Sequence, residues 1–286
     1  MKSCICKYPR SGIGNKLLVL LRAYNVSKIL SIPIYETSFS QIPLFSSFRN
    51  KVGKRVYLKN KLRKSRNYIT LIQRIKCLLG NFYEVNSLKN LNTRKNLLLV
   101  KDFPSYPNKN PFLEFILFYD DSRNYLRKRI DFSFTKNKIL KVALHIRRGD
   151  FNKENYQGRF LNNTRTKIDY FLKIIKDLDN YFKKRSIESE FTIYTDQLDC
   201  VAKEIKTNFK NFSIISNDPF DDFYGICNSD IIVVSPWSTF SGLAAILGEP
   251  IIVVYPKELH YQFTDLPIKF KVIDPNRIAS DLDINQ

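Results

Sequence analysis

From residue 139 onward, short runs of consecutive apolar residues alternate with longer stretches in which apolar residues recur every three or four positions. The runs at 139–146, 191–195, 212–215, 231–235 and 251–255 have the length and branched side chains of buried strands. The intervening spacing predicts helices over 166–184, 198–209, 219–228 and 239–247. In the first of these, Ile168, Phe171, Leu172, Ile175, Leu178 and Phe182 fall on one face. Consecutive β-α-β units imply a parallel sheet with helices packed on both faces. Ligands of such sheets bind at the carboxyl ends of the strands. That rule predicts Arg147, Arg148, Asp150, Asp196 and the 235–241 segment on one rim.

The pattern before residue 136 is less regular. A glycine turn, Gly12-Ile-Gly14-Asn15-Lys16, leads into a helical stretch in which Leu17, Leu18, Leu21, Tyr24, Asn25 and Lys28 divide into apolar and polar faces. Residues 97–100 read as a strand, and Pro111 opens a helix that runs to Ile130. These elements suit a second α/β unit, with domains over 1–135 and 136–286.

Composition narrows the partners. The 286-residue chain is long enough to bury a sizeable core, and 47 Lys+Arg against 27 Asp+Glu give a formal charge of +20. Such a balance favours nucleotides, nucleic acid or an acidic membrane surface. Residues 49–76 carry eleven Lys or Arg and no Asp or Glu. This basic segment suits peripheral contact with a membrane, a nucleic-acid patch or a solvated connector. Cys4, Cys6, Cys77, Cys200 and Cys227 are scattered, and with His145 and His260 they form no zinc spacing. A reduced, cytoplasmic setting follows, and the first residues lack the apolar core of a signal peptide.

Three segments carry candidate chemistry. His145-Ile-Arg147-Arg148-Gly149-Asp150 ends a buried strand in two guanidiniums and a carboxylate. Adjacent guanidiniums suit a phosphate, and a surface ion pair between Arg148 and Asp150 is the plainer alternative. Ser238-Thr239-Phe240-Ser241 opens a short helix, with Ser238 as its N-cap and Gly248 as the residue that ends it. Its hydroxyls and free N–H groups suit an anion, and capping alone is the alternative. Asp222, upstream, suits either a ribose or guanine contact or a favourable place in a helix's first turn. Asp196 is expected to cap the helix at 198. Asp177-Leu-Asp179 and Asp281-Leu-Asp283 match a metal-binding D-x-D string but sit in a helix and in the tail, so both read as surface carboxylates.

The glycine turn, the H-x-R-R-G-D string and the S-T-F-S segment occur in the order found in α-1,2-fucosyltransferases. The chain resembles that family, and more broadly the α-1,2-, α-1,6- and protein-O-fucosyltransferase superfamily. The resemblance implies a GT-B-like α/β fold of two facing Rossmann-like domains, the C-terminal one a doubly wound parallel sheet. It implies inverting transfer of L-fucose from GDP-β-L-fucose to a glycan hydroxyl, with α-1,2 linkage to galactose, without a metal or other cofactor. Arg147 and Arg148 match its phosphate-linked arginines, Arg147 as the β-phosphate contact, and Asp150 beside them is the candidate catalytic carboxylate, as an arginine-orienting residue or a base. Gly12, Gly14, Asn15, His145, Arg147, Asp222, Ser238, Thr239 and Ser241 match its donor-binding positions. Gly242-Leu243 replaces the family's usual pair of tryptophans, and Lys16 its usual glutamine.

The expected partners are a GDP-sugar and a glycan or lipid-linked oligosaccharide acceptor, with no nucleic acid. The competing readings are a GT-B transferase using another nucleotide sugar and a basic nucleic-acid-binding protein centred on 49–76.

Overall fold

The computed structural model describes residues 2–9, 12–36, 82–85, 88, 91, 95–101, 110–133, 139–148, 153–154, 164–205 and 212–284. The chain divides into two compact units, Met1–Phe132 and Ser133–Gln286. The basic segment 49–76, Gly149, Asp150 and the end of the helix expected over 198–209 lie outside the described residues.

In the first unit, strands β1 (Ser3–Cys6), β2 (Ile34–Glu36), β3 (Tyr83–Glu84) and β4 (Leu97–Val100) form a parallel sheet in the order β2-β1-β4-β3. Helix α1 (Ile13–Leu30) follows the glycine turn. The expected division of α1 into apolar and polar faces holds for Leu17, Leu18, Leu21 and exposed Lys28 but fails at Asn25. Lys16, Arg22 and Asn25 are buried along with its apolar residues. Asn25 instead accepts a hydrogen bond from the Ser122 hydroxyl at 3.2 Å, which satisfies a polar group that burial would otherwise penalise.

The helix expected from Pro111 to Ile130 is two pieces, a 3-10 helix over Leu113–Phe118 and α2 (Tyr119–Arg129). The break falls at Phe118, whose backbone (φ −145°, ψ 57°) leaves helical space. At the carboxyl end of β2, the buried carboxylate of Glu36 accepts from the Tyr8 hydroxyl (2.6 Å) and from Arg129 Nη2 (2.8 and 3.0 Å).

The second unit follows the sequence pattern closely. Its strands are β5 (Leu140–Ile146), a short parallel pair β6 (Lys153–Glu154) and β7 (Thr164–Arg165), β8 (Ser189–Thr195), β9 (Phe212–Ile215), β10 (Ile231–Val233), β11 (Ile252–Val254) and β12 (Lys271–Ile273). The longer helices between them are α3 (Ile168–Lys184), α4 (Leu198–Glu204), α5 (Pro219–Cys227) and α6 (Thr239–Gly248). Six of the strands form a wholly parallel sheet ordered β12-β11-β10-β5-β8-β9. Counted by position in this sheet, the order is 3-2-1-4-5-6 from the β9 edge, that of dinucleotide-binding sheets. Two parallel α/β units in one chain are what the GT-B-like reading expects.

Alternation along β5 divides its side chains between the faces. Val142, Leu144 and Ile146 join Phe171, Ile174, Ile175 and Leu178 of α3 and Val201 of α4 in one core cluster. Ala143 and His145 point the other way, where α5 and α6 cover the sheet. The helix expected to end at Gly248 as its left-handed residue ends one position later. Glu249 adopts φ 50° and its N–H bonds the Ala245 carbonyl. Gly248 is small for another reason, since a Cβ there would lie 2.3 Å from the Cys227 carbonyl oxygen. Among the described residues, no helix is long and apolar enough to cross a membrane.

Candidate active site

The sheet order reverses between β5 and β10: the chain runs outward through β8 and β9, then returns to β5's other edge. The crevice at the carboxyl ends of these two strands is where ligands of open α/β sheets bind. His145 and Arg147 lie at the end of β5, and residues 235–241 follow β10.

The two segments meet. His145 is buried, with Nδ1 3.1 Å from Ser241 Oγ and 3.3 Å from Ser238 Oγ. Its ring lies 5.0 Å from that of Phe240, which in turn meets Phe223 of α5 edge-on at 5.2 Å. Ser238 holds the N-cap position of α6 with extended backbone, but its side chain makes no capping bond. The expected capping hydroxyl is turned onto the imidazole instead. Thr239, the next residue in the chain, and Arg147, two residues after His145, are half-buried.

Ahead of Ser238, its N–H closes a tight turn onto the Ser235 carbonyl (3.0 Å). Trp237 within that turn takes the left-handed conformation at φ 61°, uncommon for a bulky residue. Its N–H donates to the Tyr255 hydroxyl at 3.3 Å, and Tyr255 donates to buried Gln262 at 3.2 Å. A side-chain network from the neighbouring strand thus sets the backbone from which α6 starts.

Asp222 lies in the first turn of α5 and is 8% exposed. The cap of that helix is Asp218, which accepts from the Phe220 N–H at 2.9 Å. Asp222 accepts from the Asn217 N–H at 3.1 and 3.3 Å. Burial pushes its carboxyl up to about 6, against the opposing hydrogen bonds from Asn217, with Asp221 and Asp218 adding to the rise. Tyr194 of β8 is pushed up to about 12, first by burial and then by the Asp222 charge. Gly225 permits this packing, since a Cβ there would lie 2.2 Å from the Tyr194 hydroxyl.

The two arginines part company. Arg148 is buried, and its Nη2 donates to Glu204 Oε2 and its Nη1 to the Thr166 carbonyl, each at 2.6 Å. Asp196, expected to cap α4, accepts from the Arg148 N–H at 2.8 Å. The N-cap position of α4 belongs to Gln197, whose side chain makes no capping bond. Neither Glu204 nor Thr166 was marked by the sequence, because the pairing depends on which face of β5 each arginine follows.

Gly12, Gly14 and Asn15 lie at the start of α1, with Gly12 as its N-cap residue. They belong to the first unit. Lys16 is 1% exposed, and burial lowers its ammonium to about 8. Asp179 pairs with Lys183 (2.6 Å) and Asp281 with Arg277 (3.1 Å), so these D-x-D carboxylates serve helix-surface ion pairs.

Residues 104–265 match the family model of Glycosyl transferase family 11. No match was found among curated proteins. Among solved structures, fucosyltransferase NodZ from Bradyrhizobium aligns over 86% of this chain and 92% of its own at 12% identity, with a TM-score of 0.43. FUT1 of Arabidopsis thaliana, as a mutant in complex with GDP, aligns over 90% of this chain and 72% of its own at 12% identity and TM-score 0.49. POFUT1 in complex with GDP-fucose aligns over 86% and 93% at 12% identity and TM-score 0.40.

Proposed function

The chain belongs to glycosyl transferase family 11, whose model spans more than half of it, and on that premise we propose that it is an inverting fucosyltransferase. It moves L-fucose from GDP-β-L-fucose to a glycan hydroxyl, forming an α-1,2 linkage to galactose. The acceptor is a glycan or lipid-linked oligosaccharide, and the reaction takes place at the cytoplasmic side.

The observation that carries this reading is the crevice between β5 and β10, where the end of β5 and the start of α6 meet through the His145–Ser241 contact. An acceptor hydroxyl attacks the anomeric carbon in line while GDP departs. The charge growing on the β-phosphate is met by the Arg147 guanidinium, the N–H groups at the start of α6 and the Thr239 hydroxyl, with no metal required. His145 and Asp222 face the nucleoside: Asp222 as a carboxylate accepts hydrogen bonds from the ribose or the guanine. Asp150 orients the arginine turn or serves as the base.

The test is thermal melting with GDP, UDP, ADP and GDP-fucose, with and without EDTA. Stabilisation by the guanosine compounds alone, unchanged by EDTA, is the expected result. Equal stabilisation by UDP or ADP would move the donor to another nucleotide sugar.

A further inference from the structure

Both terminal nitrogens of the Arg148 guanidinium are engaged by the protein, while its buried Nε has no hydrogen-bond partner among the described residues. Nη1 and Nη2 are bonded to Thr166 and Glu204, and the side chain is 4% exposed. Its backbone N–H is held separately by Asp196. The residue is therefore gripped from three sides: the segment before α3, the residue after β8, and the last residue of α4. Glu204 is fixed in turn, because its other oxygen accepts from Cys200 Sγ at 3.1 Å, one helical turn earlier. Arg147 is the adjacent residue, and the alternation of β5 gives it the parity of His145 rather than of Arg148.

We propose that Glu204, with Asp196, is a positioning residue: by clamping Arg148 it fixes the backbone from which Arg147 meets the donor's diphosphate. This rests on the GDP-sugar reading above. A guanidinium on a long stem loses rotamer freedom when it binds phosphate, and a fixed backbone lowers that cost. Without Glu204, the buried Arg148 guanidinium loses its charge partner and shifts towards solvent, carrying the backbone of residues 147–148 with it. Arg148, with both terminal nitrogens bonded inside the protein, thus acts through its neighbour.

Calorimetric titration of the full-length chain with GDP tests this, alongside kcat and KM for GDP-fucose. Glu204→Ala is expected to weaken GDP binding by about 10–100-fold. Glu204→Gln, which keeps an oxygen for Nη2, restores most of the affinity. On an Arg147→Ala background, Glu204→Ala causes no further loss, because its action passes through Arg147. An equal loss on both backgrounds, a loss that tracks melting temperature, or no loss at all overturns the proposal. Glu204→Asp, one methylene short of Arg148, supplies the same comparison where Glu204→Ala does not fold. A wild-type chain that binds no GDP overturns the donor reading instead, so the two failures are distinct.

Discussion

His145 and Ser241, 96 residues apart in the chain, lie with Nδ1 and Oγ 3.1 Å apart in a buried contact that joins the end of β5 to the first turn of α6. Replacing Ser241 with Ala removes this contact and keeps the one from Ser238 at 3.3 Å. The expected cost is about 1 kcal/mol of stability, read by urea unfolding, together with weaker GDP binding. Unchanged GDP affinity in a folded Ser241→Ala protein would count against a shared site.

Arg147→Ala is expected to slow transfer by about 10²–10³ while leaving the melting temperature near that of wild type. The residue is half-buried at a strand end, outside the core cluster. Single-turnover rates with GDP-fucose check this, and transfer surviving within a factor of a few would remove Arg147 from the phosphate.

Asp222 makes stability depend on pH in a defined direction. Its carboxyl is raised from an ordinary 3.8 to about 6 by burial, so the folded chain holds the proton more tightly than the unfolded chain between these values. The associated stability is fully present below about pH 4 and is lost as pH rises through 6. Relative to wild type, Asp222→Asn therefore gains about 2–3 kcal/mol between pH 4 and pH 7. Urea unfolding of both proteins at the two pH values measures it, and a constant difference refutes it. GDP affinity of the wild type rises through the same interval as the accepting carboxylate forms.

Lys16 works with the opposite sign. Burial lowers its ammonium from 10.5 to about 8, so the cost of burying the charge is present below 8 and fades as pH rises towards 10.5. Lys16→Met is expected to stabilise the protein by about 1–3 kcal/mol at pH 7, with the gain shrinking by pH 10. A gain that does not vary with pH would point to packing rather than charge.

Gly248→Ala runs against helix propensity. In an open helix the change would add up to about 1 kcal/mol of stability. Here the new methyl meets the Cys227 carbonyl at 2.3 Å, and the fixed backbone of α5 cannot yield cheaply. A loss of about 1–3 kcal/mol is expected, and a melting temperature at or above wild type would contradict the packing described.

Much of the second unit could be read from periodicity alone. β5, β8, β9 and β10 are apolar runs between helices with clear apolar stripes, and the strand-end rule predicts Arg147, Arg148, Asp150, Asp196 and the 235–241 segment on one rim. β12 escaped because Lys271-Val-Ile273 is a three-residue edge strand with little apolar content to mark it. The partners of Arg148 and Asp196 escaped for a different reason. Local chemistry suggested a phosphate for one and a helix cap for the other, whereas the tertiary fold offered each a nearer partner. Asn25 was misassigned on the same grounds, since a polar residue on a buried helix is tolerable once Ser122 from another helix reaches it. The left-handed Glu249 shows that glycine's place in a helix end is set by neighbours as well as by torsion.

The return of β10 to the inner edge of β5 also bears on how the molecule is born. A ribosome delivers β5, β8 and β9 first, and that half-sheet has a bare edge where the crevice's other wall belongs. The wall arrives only with β10 and α6, after the chain has grown past residue 248. Contacts spanning so much chain close later than local ones. On the proposed function, donor recognition is thus among the last properties the emerging polypeptide acquires, and a truncated chain carries the end of β5 without the helix that meets it through Ser241.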